Sequence, residues 1–247
     1  LDKQGMLIEG FNRLDTSMTI YNYPYYPEFV EACGYKKEAD WVEFLLKPSE
    51  QTTKKLSRIA AHVKKTYGVS VIKAKKLDDI KMYIDDVFEL INNAYSHLYG
   101  VTPLTKKMQN YYYNEYFKLL NLDYVAVCVD KEGKVAGFGL AFPSIATALQ
   151  KSRGKLLPLG FIRLLYALRY SNVLELALIA VRKDFIGTGL NAVIIDYVNR
   201  NGIKRGIRVA ETGPQLETNT KIQNQWKKIC TELEQHKRRR CYVKHLV

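Results

Sequence analysis

The run VLELALIAV, Val173 to Val181, is followed by RKDFI, the turn GTG and the helix-like stretch LNAVIIDYVNRNG. A short aliphatic run closed by a glycine turn reads as a strand, and the amphipathic stretch behind it as a helix. A chain organised this way has to build a sheet around a strand that leads through a short loop into a helix N-terminus. The flanking sequence supplies the other pieces.

VSVIKAK alternates as a strand, and Asp78 and Asp79 offer cap chemistry for a helix from about Ile80 to Tyr99. TPLTKKMQNYYYNEYFKLLN reads as a second helix, with Thr102 as its cap and Pro103 at its first position. DYVAVCVDKEGKVAGFGLAFPS holds two alternating runs around DKEG, a β-hairpin that turns through Gly133. LLPLGFIRLLYALRY is helical. After the strand and helix already described come the strand IRVAET, the helix TNTKIQNQWKKI and the final strand RRCYVKHLV. From Val69 the order is therefore β, α, α, β, β, α, β, α, β, α, β, a mixed α/β sheet.

Ahead of Val69, GMLIEGF and DWVEFLL read as strands that flank a short helix from about Glu28 to Cys33. Pro48 to Thr53 breaks the pattern, and TTKKLSRIAAHVKKTYG is an amphipathic helix ending at Gly68. The succession MLIEGF, YPEFVEACGYKK, DWVEFLL matches IRVAET, TKIQNQWKKI, CYVKHLV in order and element type. That self-similarity divides the chain into residues 1–52, the C-terminal remnant of a first module, a linker helix over 53–68, and a module over 69–247. Chance agreement between two short strand-helix-strand runs is the competing explanation.

Lys and Arg number 38 against 25 Asp and Glu, a formal charge of +13. Such a balance attracts nucleic acid, anionic lipid or a phosphorylated cofactor without choosing among them, and soluble proteins with none of these partners are also basic. The four cysteines form no C-x-x-C pair, so reduced thiols and a cytoplasmic location are expected. The four histidines are dispersed, so no metal site is expected. Val135–Leu149 and Leu156–Tyr170 contain Pro143 or are cut by Arg163 and Arg169, short of the ~18 clean residues a membrane span needs, and no membrane partner is expected. Residue 1 is not Met and no secretory signal is present, which is compatible with a start inside a longer natural chain.

Three phosphate-binding readings compete for the glycine turn. A P-loop requires a lysine after the last glycine, and none follows Gly189. Gly187 to Ala192 spells G-x-G-x-x-A, with Glu211 ending a later strand. The dinucleotide fold, however, brings the turn directly after the strand and needs a second half that the remaining quarter of the chain cannot supply. The third reading uses the whole element order. A mixed sheet with two helices and a hairpin ahead of a strand, loop and helix resembles the GNAT (general-control-related N-acetyltransferase) superfamily, over about Val69 to Val247. The leading segment also resembles bacterial proteins that carry two GNAT-like modules.

The resemblance implies a GNAT, or acyl-CoA N-acyltransferase, fold, with acetyl-CoA as co-substrate and a small-molecule amine or peptide as acceptor. The family's pyrophosphate loop, Q/R-x-x-G-x-G/A, falls on Ile186, Gly187, Thr188, Gly189, Leu190 and Asn191. Backbone donors at a helix start attract anions whatever the side chains. Both glycines are present, Ile186 replaces the Gln or Arg, and Asn191 replaces a small residue and is bulkier. The main chain of Leu178, Ile179, Ala180 and Val181 is implied to hold pantetheine, and Glu175 to serve as general base. Asn219 falls on the family's asparagine in the last helix, and seven positions on, where a tyrosine acid is common, stands Trp226. Tyr242 cannot be placed from sequence.

The bland alternatives stay open: a ligand-free turn, a solvent-facing Glu175, and a solvated KRRR loop at Lys237–Arg240. A non-catalytic binding module and a basic nucleic-acid-binding protein are the other function classes. No helix-turn-helix, zinc or RNP pattern supports nucleic acid as a partner. A homodimer is compatible with all of them.

Overall fold

The computed structural model describes residues 5–117, 120–230 and 232–246. In chain order the elements are β1 (Met6–Glu9), α1 (Tyr25–Ala32), β2 (Lys36–Lys47), α2 (Glu50–Tyr67), β3 (Ser70–Val71), α3 (Asp78–Lys81), α4 (Ile84–Tyr95) and α5 (Lys106–Tyr116). There follow β4 (Val125–Val129), β5 (Val135–Pro143), α6 (Ala146–Lys151), α7 (Gly160–Tyr170), β6 (Val173–Val181), α8 (Leu190–Lys204), β7 (Val209–Thr212), β8 (Gln215–Leu216), α9 (Thr220–Ile229) and β9 (Glu232–Val243). They form two compact units. The first takes Leu1–Pro48, Pro143–Leu176 and Ile207–Val247, and the second Ser49–Phe142 and Ala177–Gly206.

In the first unit the strand order is β1-β9-β2-β7-β6, with β8 attached to β2. Only the last pair is parallel: β6 and β7 run side by side from Val173 against Val209 to Leu176 against Thr212, whereas β1 with β9 and β2 with β7 and β9 are antiparallel. The expected final strand is longer than its apolar part. Pairing with β2 from Lys36 to Lys47 draws the polar residues from Glu232 onward into β9. Val247, the last residue of the expected strand, lies outside the described residues.

In the second unit β6 is followed by β5, β4 and β3. Its interior joins Ile80, Val87, Leu90 and Ile91 to Val125, Val127, Phe138 and Ala180. The glycines of VAGFGLAF are explained here. A Cβ at Gly139 would stand 2.2 Å from Ile194 Cγ2, so that position is side-chain-free for α8 to lie on β5, and one at Gly137, 3.1 Å from Leu190 Cδ2, would press on the same helix.

The helix expected as a linker packs against α8. Ser49 and Thr52 form a reciprocal capping box at its start, Gly68 ends it at φ +65°, and Ser57 donates to the buried Asp196 of α8 at 2.5 Å.

Two helix starts differ from the sequence reading. The helix expected over Ile80–Tyr99 is split at Met82–Tyr83 into α3 and α4, and the Asp79 carboxylate accepts from the backbone of Lys75 and Lys76 in the turn before α3. The cap of α5 is Thr105, which accepts from Met108 N, not Thr102. Residues 118 and 119 of that expected helix lie outside the described residues.

Candidate active site

The glycine turn belongs to the second unit. After β6 the chain makes a short 3-10 turn over Lys183–Phe185, and Arg182, which pairs with Asp130 at 2.7 Å and Asp184 at 2.9 Å, fixes its entry. Gly187 and Gly189 have φ of +85° and +90°, values that favour glycine. Nothing crowds a Cβ at Gly187, so its backbone angle alone demands glycine. At Gly189 a Cβ would also meet Val63 Cγ2 of α2 at 3.1 Å.

Gly189 is the N-cap of α8 and has no side chain to cap it. Thr188 is turned back onto Phe185 O through both its N–H and its hydroxyl. Among the described residues the N–H groups of Gly187, Gly189 and Leu190 have no hydrogen-bond partner. Three backbone donors at the positive end of a helix are thus open to an anion. Ile186 points into solvent, and Leu190 is buried beneath the turn.

The strand behind the turn is less open. The Tyr95 hydroxyl accepts from Ile179 N at 3.2 Å and donates to Ile179 O at 3.0 Å. Both main-chain groups expected to meet pantetheine at that residue are therefore engaged by one side chain. Burial pushes the Tyr95 phenol up, which keeps it protonated and able to donate. Ala180 is buried against β5, and Arg182 N donates to Ala136 O.

Glu175 lies on β6 in the first unit. It is fully buried, not solvent-facing. The loop after β1 covers it: Ser17 N donates to Oε2 at 3.1 Å and to Oε1 at 3.3 Å, and the Ser17 hydroxyl donates to Oε2 at 2.7 Å. Desolvation raises the Glu175 pKa, against the lowering effect of hydrogen bonds from Ser144 and Ser17 and of the Lys237 charge. A carboxyl poised above its usual range is matched to proton transfer nearer neutral pH. The covering loop is pinned in turn, because the Asn22 amide accepts from Leu7 N and donates to Leu7 O as a neighbouring strand would.

Beside Glu175's unit-mates lies a cluster that sequence reading missed. KRRR is not a solvated loop. In β9 the side chains alternate, so Lys237 and Arg239 are fully buried while Arg238 and Arg240 pair with Asp40. Lys237 Nζ lies 2.6 Å from Glu211 and 3.6 Å from Glu43. Arg239 reaches Glu43 at 2.5 Å, Asp15 at 2.7 Å and the Ile20 carbonyl at 2.6 Å. The signal available in the sequence was the pair Asp40 and Glu43 inside the otherwise apolar run ADWVEFLL, which puts carboxylates on a buried strand.

Glu43, Glu211 and His236 bring three potential metal-ligand atoms within 4.8 Å of one another. The Lys237 ammonium already supplies the positive charge there, and burial, reinforced by the Lys237 and Arg13 charges, pushes the His236 pKa down to about 4. A divalent cation would have to displace the Lys237 ammonium from Glu211, so the set is arranged as ion pairs.

The last helix offers no acid. Asn219 is the N-cap of α9 without a side-chain cap bond. Trp226 is buried, with Nε1 donating to Gln215 at 3.2 Å. Tyr242 donates to Glu31 at 3.0 Å. Burial pushes the Cys128 thiol up to about 12 and the Cys230 thiol up to about 11, so neither is a nucleophile at neutral pH.

This order of strands and helices, with β6 leading through the two-glycine turn into α8, is the GNAT acyl-CoA N-acyltransferase fold. The chain superposes on a GCN5-related N-acetyltransferase from Sphaerobacter thermophilus with a TM-score of 0.54 and 12% identity, over 96% of this chain and 57% of that one. It superposes on a tandem GNAT protein from the clavulanic acid biosynthesis pathway with a TM-score of 0.51 and 14% identity, over 96% and 62%.

By sequence it is similar to protein YghO of Escherichia coli, 25% identical over 99% of this chain and 63% of that protein. It is also similar to a bacterial ceramide synthase of Caulobacter vibrioides, 26% identical over 74% of this chain and 48% of that protein. The chain thus spans less than two thirds of either relative. No family model matches it. Among the described residues no helix is long and apolar enough to cross a membrane.

Proposed function

We propose that this chain transfers an acyl group from a CoA thioester to the amine of a long-chain, lipid-like acceptor. The observation that carries the reading is Glu175: a fully buried carboxyl with a raised pKa on the strand that leads into the glycine turn. The acceptor class rests on the Caulobacter relative, since a ceramide is the amide of a long-chain amino alcohol.

In this mechanism the acceptor nitrogen attacks the thioester carbonyl carbon, forming the C–N bond. Its proton passes to Glu175, with the Ser17 hydroxyl, 2.7 Å away, as the neighbouring relay. The C–S bond then breaks. A thiol of ordinary pKa, about 8.5, leaves as thiolate and takes its proton from solvent, so buried Trp226 in place of a tyrosine does not block the step. The turn over Ile186–Asn191 holds the CoA pyrophosphate through backbone N–H groups, which tolerates Ile186 in place of a Gln or Arg. Acetyl-CoA is the smallest donor that tests the site.

Thiol release from acetyl-CoA and longer acyl-CoAs, measured with a panel of long-chain amines, checks the reaction. Glu175→Gln should bind CoA normally and lose about 100-fold or more in turnover. Equal turnover in the two proteins removes Glu175 from the chemistry.

One observation favours a second reading, a GNAT-like binding protein without catalysis: Tyr95 already occupies both main-chain groups of Ile179. Calorimetry with CoA separates the two. CoA binding without turnover on any amine supports the second, and the absence of heat at millimolar CoA removes the first.

A further inference from the structure

Helix α7 and the turn before it expose an apolar surface that the acyl-transfer reading does not use. Leu156, Leu157 and Leu159 stand in solvent ahead of the helix, and Phe161, Ile162, Leu165, Tyr166 and Leu168 along it, with Leu157 80%, Tyr166 66% and Ile162 61% exposed. Phe161, Leu165 and Leu168 follow one another at i, i+4 and i+7, and Ile162 and Tyr166 form the adjoining row. The helix is held from its other side. Gly160 is buried so closely that a Cβ would meet Lys155 O at 1.8 Å, and Arg163 donates to Lys151 O at 2.8 Å, tying α7 to the end of α6. A contiguous apolar face of this kind, left unpartnered, marks an interaction surface.

Charge selects the partner. From Ser144 to Leu174 the chain carries Lys151, Arg153, Lys155, Arg163 and Arg169 and not one Asp or Glu. A second copy meeting this face across a two-fold axis would bring the same cations against each other. A nucleic acid would pair with the cations but leave the leucines in water. An anionic lipid surface satisfies both sets: the apolar side chains enter the acyl boundary while the lysines and arginines stay among the phosphates.

We propose that the segment from Lys151 to Tyr170 docks the protein on anionic membranes, with α7 lying in the interface plane. The expectation that the chain does not cross a membrane is kept, and a surface contact is added to it. The helix is too short to span a bilayer, so the proposal is adsorption and not insertion across it.

Co-sedimentation of the full chain with phosphatidylglycerol vesicles and with phosphatidylcholine vesicles tests the proposal in the absence of CoA. Its failure is therefore separate from any failure of the acyl-transfer reading. Partitioning into the phosphatidylglycerol vesicles should exceed that into phosphatidylcholine at least ten-fold. Phe161→Asp with Leu165→Asp, both on the exposed face, should reduce it at least ten-fold with the circular dichroism unchanged. Should that pair disturb folding, Leu157→Ser in the turn should still weaken binding several-fold, as should Arg153→Gln with Lys155→Gln. Wild-type protein that stays in the supernatant overturns the proposal. So does binding that the apolar substitutions leave untouched, or a variant whose main effect is a dimer-to-monomer change in analytical ultracentrifugation.

Discussion

The glycine turn of the second unit and the buried carboxylates of the first are built from different materials. The turn works through backbone: two positive-φ glycines and the open N–H groups at the start of α8. The carboxylate end works through side chains, with Glu175 held by Ser17 and a separate set of acids held by Lys237 and Arg239. Side-chain changes at Ile186 and Asn191 therefore leave the turn's geometry intact, whereas loss of one charge among Glu43, Glu211, Lys237 and Arg239 leaves a buried partner short of its counter-charge.

The largest effect should follow from breaking that buried set. Arg239→Ala leaves Glu43 and Asp15 with only the more distant Lys237 ammonium, at 3.6 and 3.7 Å, and the Ile20 carbonyl without its donor. A loss of about 3 kcal/mol in urea unfolding is expected for removing one partner of a buried ion pair. A loss under about 1 kcal/mol would place the pair with ordinary surface ion pairs.

Acid should weaken the same region next. His236 has a folded pKa of about 4 against the ordinary 6.5, so the unfolded chain binds its proton first. Its contribution is fully present above pH 6.5 and is lost as pH falls toward 4, on the order of 3 kcal/mol. The raised carboxyls Glu175 and Glu211 act in the opposite sense: their contribution is unfavourable at neutral pH, and that cost shrinks as pH falls through their raised values. Comparing His236→Gln with wild type by thermal unfolding between pH 4 and 7 isolates the histidine. The variant's curve should be flatter on the acid side, and parallel curves would remove His236 as the cause.

In the turn the expected effects are smaller. Gly187→Ala meets only the backbone penalty of positive φ, about 1 kcal/mol, while Gly189→Ala adds contact with Val63 and should cost about 2 kcal/mol. Equal losses would mean that α2 gives way at Val63.

The two regions also differ in how much of each could be read from sequence. The turn was legible because its signal is local: a strand, two glycines and a helix within a few residues of one another, all recovered in place. The element order likewise carried the GNAT fold. The buried cluster was not legible. Its bonds join residues 26, 196 and 224 positions apart, and KRRR read as four solvated cations because nothing local says that the strand has acids on its neighbours. The burial of Glu175 depends on Ser17, 158 residues away. Tyr95, in a helix read only from the cap chemistry of Asp78 and Asp79, gave no hint that its hydroxyl meets β6.

That tyrosine gives the finest test of the comparison. In Tyr95→Phe the ring stays and the hydroxyl goes, so Ile179 N–H and C=O lose their shared partner, a cost of about 1–2 kcal/mol to stability. If β6 is the rail for pantetheine, the same change frees the two groups that pantetheine's amides would use. CoA affinity should then rise several-fold by calorimetry while the unfolding midpoint falls. Unchanged affinity with reduced stability would assign Tyr95 to packing alone, and would leave the backbone of the glycine turn as the part of the second unit that holds CoA.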